Sequence, residues 1–216
     1  MCVLLHTLSY QSVHSGLVDS IARECYNIPM RLIENNLEFN YRLYKSDYIC
    51  ENHEAFVYGA YEAVAKFNQL YGTYFCDNPS TTWHYSKYNV FSLTSCLPHY
   101  HQLYKELNFV INDFIKDDAP KWLQSWLNFH RPDEVLNWHD HTFPYHGYIS
   151  IDPKNSITEF RDYQIVNEIG NIYIGPGNRK HRVTVTEPFE GERITLGFDI
   201  ATKGFRSENM GFIPLV

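Results

Sequence analysis

Apolar residues are spaced differently in the two halves of the chain. Between 53 and 71, Phe56, Ala60, Val64 and Phe67 recur at helical spacing, Tyr71 continues the stripe, and Gly72 suits a helix end. A second helix is expected from about Pro98 to Ile115. Pro98 fits its first turn, Leu103, Leu107, Val110, Ile111 and Phe114 make one face, and Asp117-Asp118-Ala119-Pro120 closes it. After Pro120 the segments become short, β-branched and aromatic. Strands are expected over 122–130, 136–143, 145–151, 164–168, 170–175, 180–186 and 193–200, with turns such as Asp152-Pro153-Lys154-Asn155 between them. Such spacing predicts a sandwich or barrel. Upstream the pattern is weaker: a short helix over 16–25 and strands over 37–44 and 83–93. The tail, 201–216, shows no strong pattern. Without repeats, low-complexity tracts or a linker, the chain is expected to be one domain over 1–216. A helix-rich N-terminal layer (1–120) would cover a β-barrel core (121–200), so the fold class is α+β, mainly β.

Composition narrows the partners. The formal charge is −7, which disfavours a nucleic-acid backbone. Five scattered cysteines (Cys2, Cys25, Cys50, Cys76 and Cys96) include no C-x-x-C pair and read as reduced thiols. Val3-Leu4-Leu5 is too short for a secretory core, and no stretch approaches a membrane span. The expectation is a soluble, cytoplasmic protein without a membrane partner.

The chemistry concentrates after residue 136. On a strand, residues i and i+2 share a face, so His139 and His141 project together and Asp140 points away. His181 opens a strand whose alternate residues are Val183 and Val185, and it would supply a third imidazole. Three ligands on one side of a metal leave open positions, as in non-heme iron oxygenases. His99-x-His101 lies in a predicted helix, where i and i+2 diverge, and reads as surface. His6, His14, His53, His84 and His130 have no partner by spacing and read as structural, while His146 fits second shell, pocket wall or surface equally. In 193–200, Ile194, Leu196, Phe198 and Ile200 share one face, and Arg193, Thr195, Gly197 and Asp199 the other. A guanidinium beside a hydroxyl is a ready carboxylate clamp.

These runs carry a family resemblance. Asn128-Phe129-His130-Arg131-Pro132, then Asn137-Trp138-His139-Asp140-His141 and Gly147-Tyr148-Ile149, resemble the core of the 2-oxoglutarate and Fe(II)-dependent oxygenases. The likeness is greatest to small uncharacterised members of bacteria and marine phages. Gly170 to Pro176, followed by His181-Arg182-Val183, is similar to their second motif, and Arg193-x-Thr195 to their Arg-x-Ser. The resemblance spans about residues 122–200. It implies a double-stranded β-helix (a jelly-roll, cupin-like barrel), cytoplasmic in the cell or in a phage's host. It implies Fe(II) on His139, His141 and His181, and 2-oxoglutarate as co-substrate with Arg193 and Thr195 on its far carboxylate. Tyr148, Tyr173 and Asn128 are candidates for further bonds to that co-substrate. The reaction would hydroxylate an unidentified small molecule or peptide, giving succinate and CO2.

One position departs from the pattern. The family's first motif is usually His-x-Asp or His-x-Glu, and here His141 stands at its third position. Period-two geometry favours three histidines. Asp140 through a local bulge, or Glu159 from elsewhere, are the alternatives. Two rival functions follow. His139-x-His141 with His146, and Gly170, Pro176 and His181, also resemble the two cupin motifs, with Asn178 where glycine is usual. That reading gives a metal enzyme, dioxygenase or isomerase, that takes no keto acid. A degenerate barrel would be a binding module.

Overall fold

The computed structural model describes residues 30–71, 89–132, 134, 136–202 and 211–215. The chain opens with strands β1 (Met30–Asn36) and β2 (Tyr41–Ser46) and continues through helices α1 (Asp47–Glu51), α2 (His53–Tyr71), α3 (Val90–Thr94) and α4 (Pro98–Phe114). Strands β3 (Lys121–His130), β4 (Leu136–His139), β5 (Tyr145–Asp152), β6 (Ser156–Phe160) and β7 (Gln164–Val166) follow. The last are β8 (Asn171–Pro176), β9 (His181–Val185), β10 (Arg193–Ala201) and β11 (Ile213–Leu215). One antiparallel sheet runs β1-β2-β8-β5-β10-β3-β11 and the other β4-β9-β6-β7. This is the expected mainly-β class, with two sheets whose strands are not in chain order.

The long helices form for the reasons read in the sequence. Phe56, Ala60 and Phe67 of α2 are buried, as are Leu103, Leu107, Val110 and Ile111 of α4, which carries Pro98 in its first turn. Together with Ile194, Leu196, Phe198 and Ile200 of β10 they make one core. The helices therefore cover the outer face of the large sheet. Polar ties hold them there. Arg42 and Tyr44 of β2 both bond the Asp113 carboxylate, at 2.7 and 2.6 Å. Asn89 caps α3 through the Phe91 N–H and donates to the carbonyl of Leu123 on β3 at 2.6 Å. The opposite face of β10 looks between the sheets, where the site lies.

Several expectations are corrected. The helix-rich N-terminal layer also contains a hairpin of β1 and β2, and β2 pairs with β8 in the large sheet. The expected strand 37–44 begins only at Tyr41, because Leu37–Asn40 turns, with Asn40 at φ 55°. In the expected strand 83–93, Val90–Thr94 is helical, following the Asn89 cap, and 83–88 lie outside the described residues, as does the helix over 16–25. The tail contributes β11, paired with β3. Strand β6 lacks an apolar alternation: of its inward residues only Phe160 is apolar, and Ser156 and Thr158 are bonded through Asn167. Among the described residues, no helix is long and apolar enough to cross a membrane.

Glu106 is the exception inside the helical core. It is fully buried, its carboxyl oxygens make no hydrogen bond of normal geometry although Ser46 and Gln102 lie near, and burial pushes its pKa up from 4.5 to about 7. The folded chain thus retains a proton that the unfolded chain releases. The contribution of Glu106 to stability is greatest below pH 4.5 and is lost as the pH rises towards 7. Glu106→Gln should gain stability over the native chain between pH 5 and pH 8, by roughly 2 kcal/mol. Urea unfolding at the two pH values measures the gap, and a gap that does not widen contradicts the assignment.

Candidate metal centre and anion pocket

His139 ends β4 and His181 opens β9, and the two residues pair directly across the ladder with ring centroids 4.3 Å apart. His141 arrives differently. Strand β4 stops at His139, so strand alternation does not carry His141 to the site as expected. Its backbone N–H instead donates to the Gly177 carbonyl at 2.8 Å, beyond the end of β8. The ligand-type nitrogens of His139, His141 and His181 nevertheless lie within 4.8 Å of one another.

Each Nδ1 is tethered: His139 to the Asn137 carbonyl at 2.7 Å, His181 to the Arg179 carbonyl at 3.0 Å, and His141 to Asp199 Oδ1 at 3.0 Å. These partners accept, so each Nδ1 donates its proton, and Nε2 is the ring nitrogen left to ligate. The His141 Nε2 is buried without a partner. Burial, reinforced by His146 and His139, holds His181 well below its ordinary 6.5, and burial also lowers His139. Both are unprotonated at neutral pH, the form that binds metal.

The alternative carboxylates are not with this group. Asp140 is exposed and does not join the cluster. Glu159 bonds Arg182 at 2.8 Å and Thr184 at 2.7 Å. A carboxylate that sequence reasoning passed over is close by. Asp199, fully buried, also bonds His146 Nδ1 at 3.1 Å, and His146 lies flat against His141 with centroids 3.5 Å apart. Burial and the nearby His141 push His146 down to about 4. The donated hydrogen bonds of both imidazoles outweigh the burial of Asp199 and leave its pKa below the ordinary value. Alternation along β10 was the available signal, since it puts Asp199 on the face of Arg193 and Thr195.

That same face forms an anion pocket. Arg193 is buried, and its Nη2 donates to His130 Nδ1 at 2.9 Å. Burial and the guanidinium push His130 down to about 3, so its ring is a neutral acceptor. Burial lowers Arg193 itself to about 10, which leaves it charged, and no carboxylate among the described residues pairs with it. Asn128, opposite Thr195 in the ladder, reaches the Thr195 hydroxyl at 3.5 Å. The Tyr148 hydroxyl is buried near Thr158 without a hydrogen bond of normal geometry. Tyr173 does not line the cavity, and its hydroxyl bonds Tyr163 at 3.0 Å. His130, read as structural, lies on the site face of β3 two residues from Asn128, where strand alternation would have found it. A Cβ at Gly197 would meet the Trp126 indole at 2.6 Å, so glycine there lets Trp126 stack near His141 and His146. The histidines and Arg193 line one cavity of about 410 Å³, walled elsewhere by Leu136, Trp138 and Val183.

Known structures resemble this arrangement of sheets. The non-heme α-ketoglutarate-dependent carbocyclase SnoK of nogalamycin biosynthesis aligns with TM-score 0.56 at 10% identity, over 83% of this chain and 93% of that one. The two chains share the double-stranded β-helix fold. HygX from Streptomyces hygroscopicus, with nickel and 2-oxoglutarate bound, aligns with TM-score 0.49 at 11% identity, over 93% of this chain and 89% of that one. A cupin-2 domain protein from Shewanella frigidimarina aligns with TM-score 0.30 at 21% identity, over 36% and 69%. No protein-family model and no curated protein matches the sequence.

A buried guanidinium without a counter-ion costs stability in the empty protein. Arg193→Met should therefore raise the unfolding free energy by about 2 kcal/mol. Chemical denaturation measures this, and a variant less stable than the native chain contradicts the unpaired state of Arg193.

Proposed function

We propose that this chain is an Fe(II)- and 2-oxoglutarate-dependent oxygenase that hydroxylates an unidentified substrate. The observation that carries the reading is one cavity lined by two groups of unspent polar capacity. The first is the set of three converging imidazoles, including the buried, unpartnered Nε2 of His141. The second is the buried, unpaired Arg193 with the Thr195 hydroxyl beside it. Imidazole nitrogens suit iron, zinc or copper, and three of them leave coordination positions open. The likeness in fold to SnoK, an α-ketoglutarate-dependent enzyme by name, is consistent with the reading.

His139, His141 and His181 would hold the metal through Nε2. A bound Fe(II) would supply the chemistry of dioxygen activation, with dioxygen as oxidant and 2-oxoglutarate, converted to succinate and CO2, as co-substrate. The chain's own residues bind and orient. Arg193 and Thr195 hold the far carboxylate, and Tyr148 offers a further donor. His130, a neutral acceptor, fixes one edge of the guanidinium without cancelling its charge. Trp126 covers the imidazoles on one side and limits the entry of water. Asn128 acts through Thr195 rather than on the co-substrate directly. Tyr173 has no such role, because its hydroxyl is engaged by Tyr163.

A second reading, a cupin-type metal enzyme that takes no keto acid, draws on His146, which stands in the cluster where the cupin motif has a ligand. Arg193 separates the two. Anaerobic titration of 2-oxoglutarate into the Fe(II)-loaded protein should raise a visible metal-to-keto-acid charge-transfer band. Arg193→Ala should weaken keto-acid binding by 100-fold or more, about 3 kcal/mol. Metal uptake without that band favours the cupin reading, and no metal uptake leaves a binding module.

A further inference from the structure

The cluster contains a carboxylate, in a second group: ligand-type atoms of His141, His146 and Asp199 also lie within 4.8 Å of one another. Asp199 lies on β10 directly opposite His146 on β5, and no part of it reaches solvent. Its Oδ1 is 3.0 Å from His141 Nδ1 and 3.1 Å from His146 Nδ1, and its Oδ2 is 3.3 Å from His141 Nδ1. One buried carboxylate thus receives two imidazole donors. An acceptor-only partner at Nδ1 places the proton there and turns Nε2 of each ring away from Asp199. The rings are nearly parallel, 12° apart, with centroids at 3.5 Å. His146 therefore backs one face of His141 while Asp199 grips its Nδ1 edge. His141 needs this support most. It lies outside any strand, whereas His139 and His181 sit on paired strands and are tied to backbone carbonyls.

We infer that Asp199 is the positioning residue of the metal centre, fixing the tautomer and orientation of His141 and supplying, one shell out, the negative charge that a three-histidine ligand set lacks. The inference rests on the metal-centre reading above. A carboxylate hydrogen-bonded to a ligating imidazole raises its basicity and holds its orientation, and removing such a partner lowers metal affinity by about 10- to 100-fold. His146 completes the device as the second donor to Asp199 and the backing of His141.

Co(II) titration of the metal-free chain, followed by its visible absorption, tests this. The native protein should take up one Co(II). Asp199→Asn, which keeps the shape and one acceptor oxygen but not the charge, should bind Co(II) 10- to 100-fold more weakly with shifted visible bands. The comparison holds for a variant with native far-UV circular dichroism. If the native protein takes up no Co(II), the metal-centre reading fails. If the native protein binds Co(II) and folded Asp199→Asn matches it in affinity and spectrum, the role of Asp199 alone is overturned. A second measurement needs no variant. Long-range 1H–15N correlation of the Zn(II)-loaded native chain reports each imidazole's tautomer. Protons on Nδ1 of both His141 and His146 support the inference, and a proton on Nε2 of either overturns it.

Discussion

Strand β10 is buried along its whole length, and both of its faces have to be satisfied. Ile194, Leu196, Phe198 and Ile200 drive one face into the helical core. That apolar face sets the register and thereby aims Arg193, Thr195, Gly197 and Asp199 into the space between the sheets. A one-residue slip would reverse the faces, burying two charged groups among α2 and α4. The hydrophobic core on one side thus guarantees the chemistry on the other. Ladder pairing then delivers the partners: His130 opposite Arg193, Asn128 opposite Thr195, His146 opposite Asp199.

The polar face carries its charges under different constraints. Asp199 is compensated by two imidazole donors, whereas Arg193 has only a neutral ring to donate to. A buried cation held without an anion is a strained choice for a protein that binds nothing. It is a reasonable choice for one whose ligand brings the carboxylate. The same reasoning applies at the other end of the cavity, where His141 Nε2 is bare and buried. The two ends are incomplete in complementary ways, one lacking an anion and the other a cation.

Much of this was legible before any coordinates. Helical periodicity identified α2 and α4, and alternation identified β10 and the contrasting character of its faces. The grouping of His139, His141 and His181 was also anticipated, although not for the right reason throughout. His141 reaches the cluster through a loop contact with Gly177, which no period describes. Other features were hidden because their signals are not hydrophobic. The buried face of β6 is Ser156 and Thr158 with Phe160 alone apolar, and β1 shows water much of its surface, so neither alternates in the usual way. Asp199 and His130 were assigned to faces or set aside because a single titratable residue on a strand says nothing until its cross-strand neighbour is known.

The central claim is that one cavity joins a three-histidine metal centre to an arginine anion pocket. Anomalous diffraction from crystals grown anaerobically with Mn(II) in place of Fe(II), and with 2-oxoglutarate, tests it most directly. The account predicts one anomalous peak bonded to Nε2 of His139, His141 and His181, with a carboxylate of the keto acid on Arg193 and Thr195. A peak on other residues, or a keto acid bound away from Arg193, would contradict it.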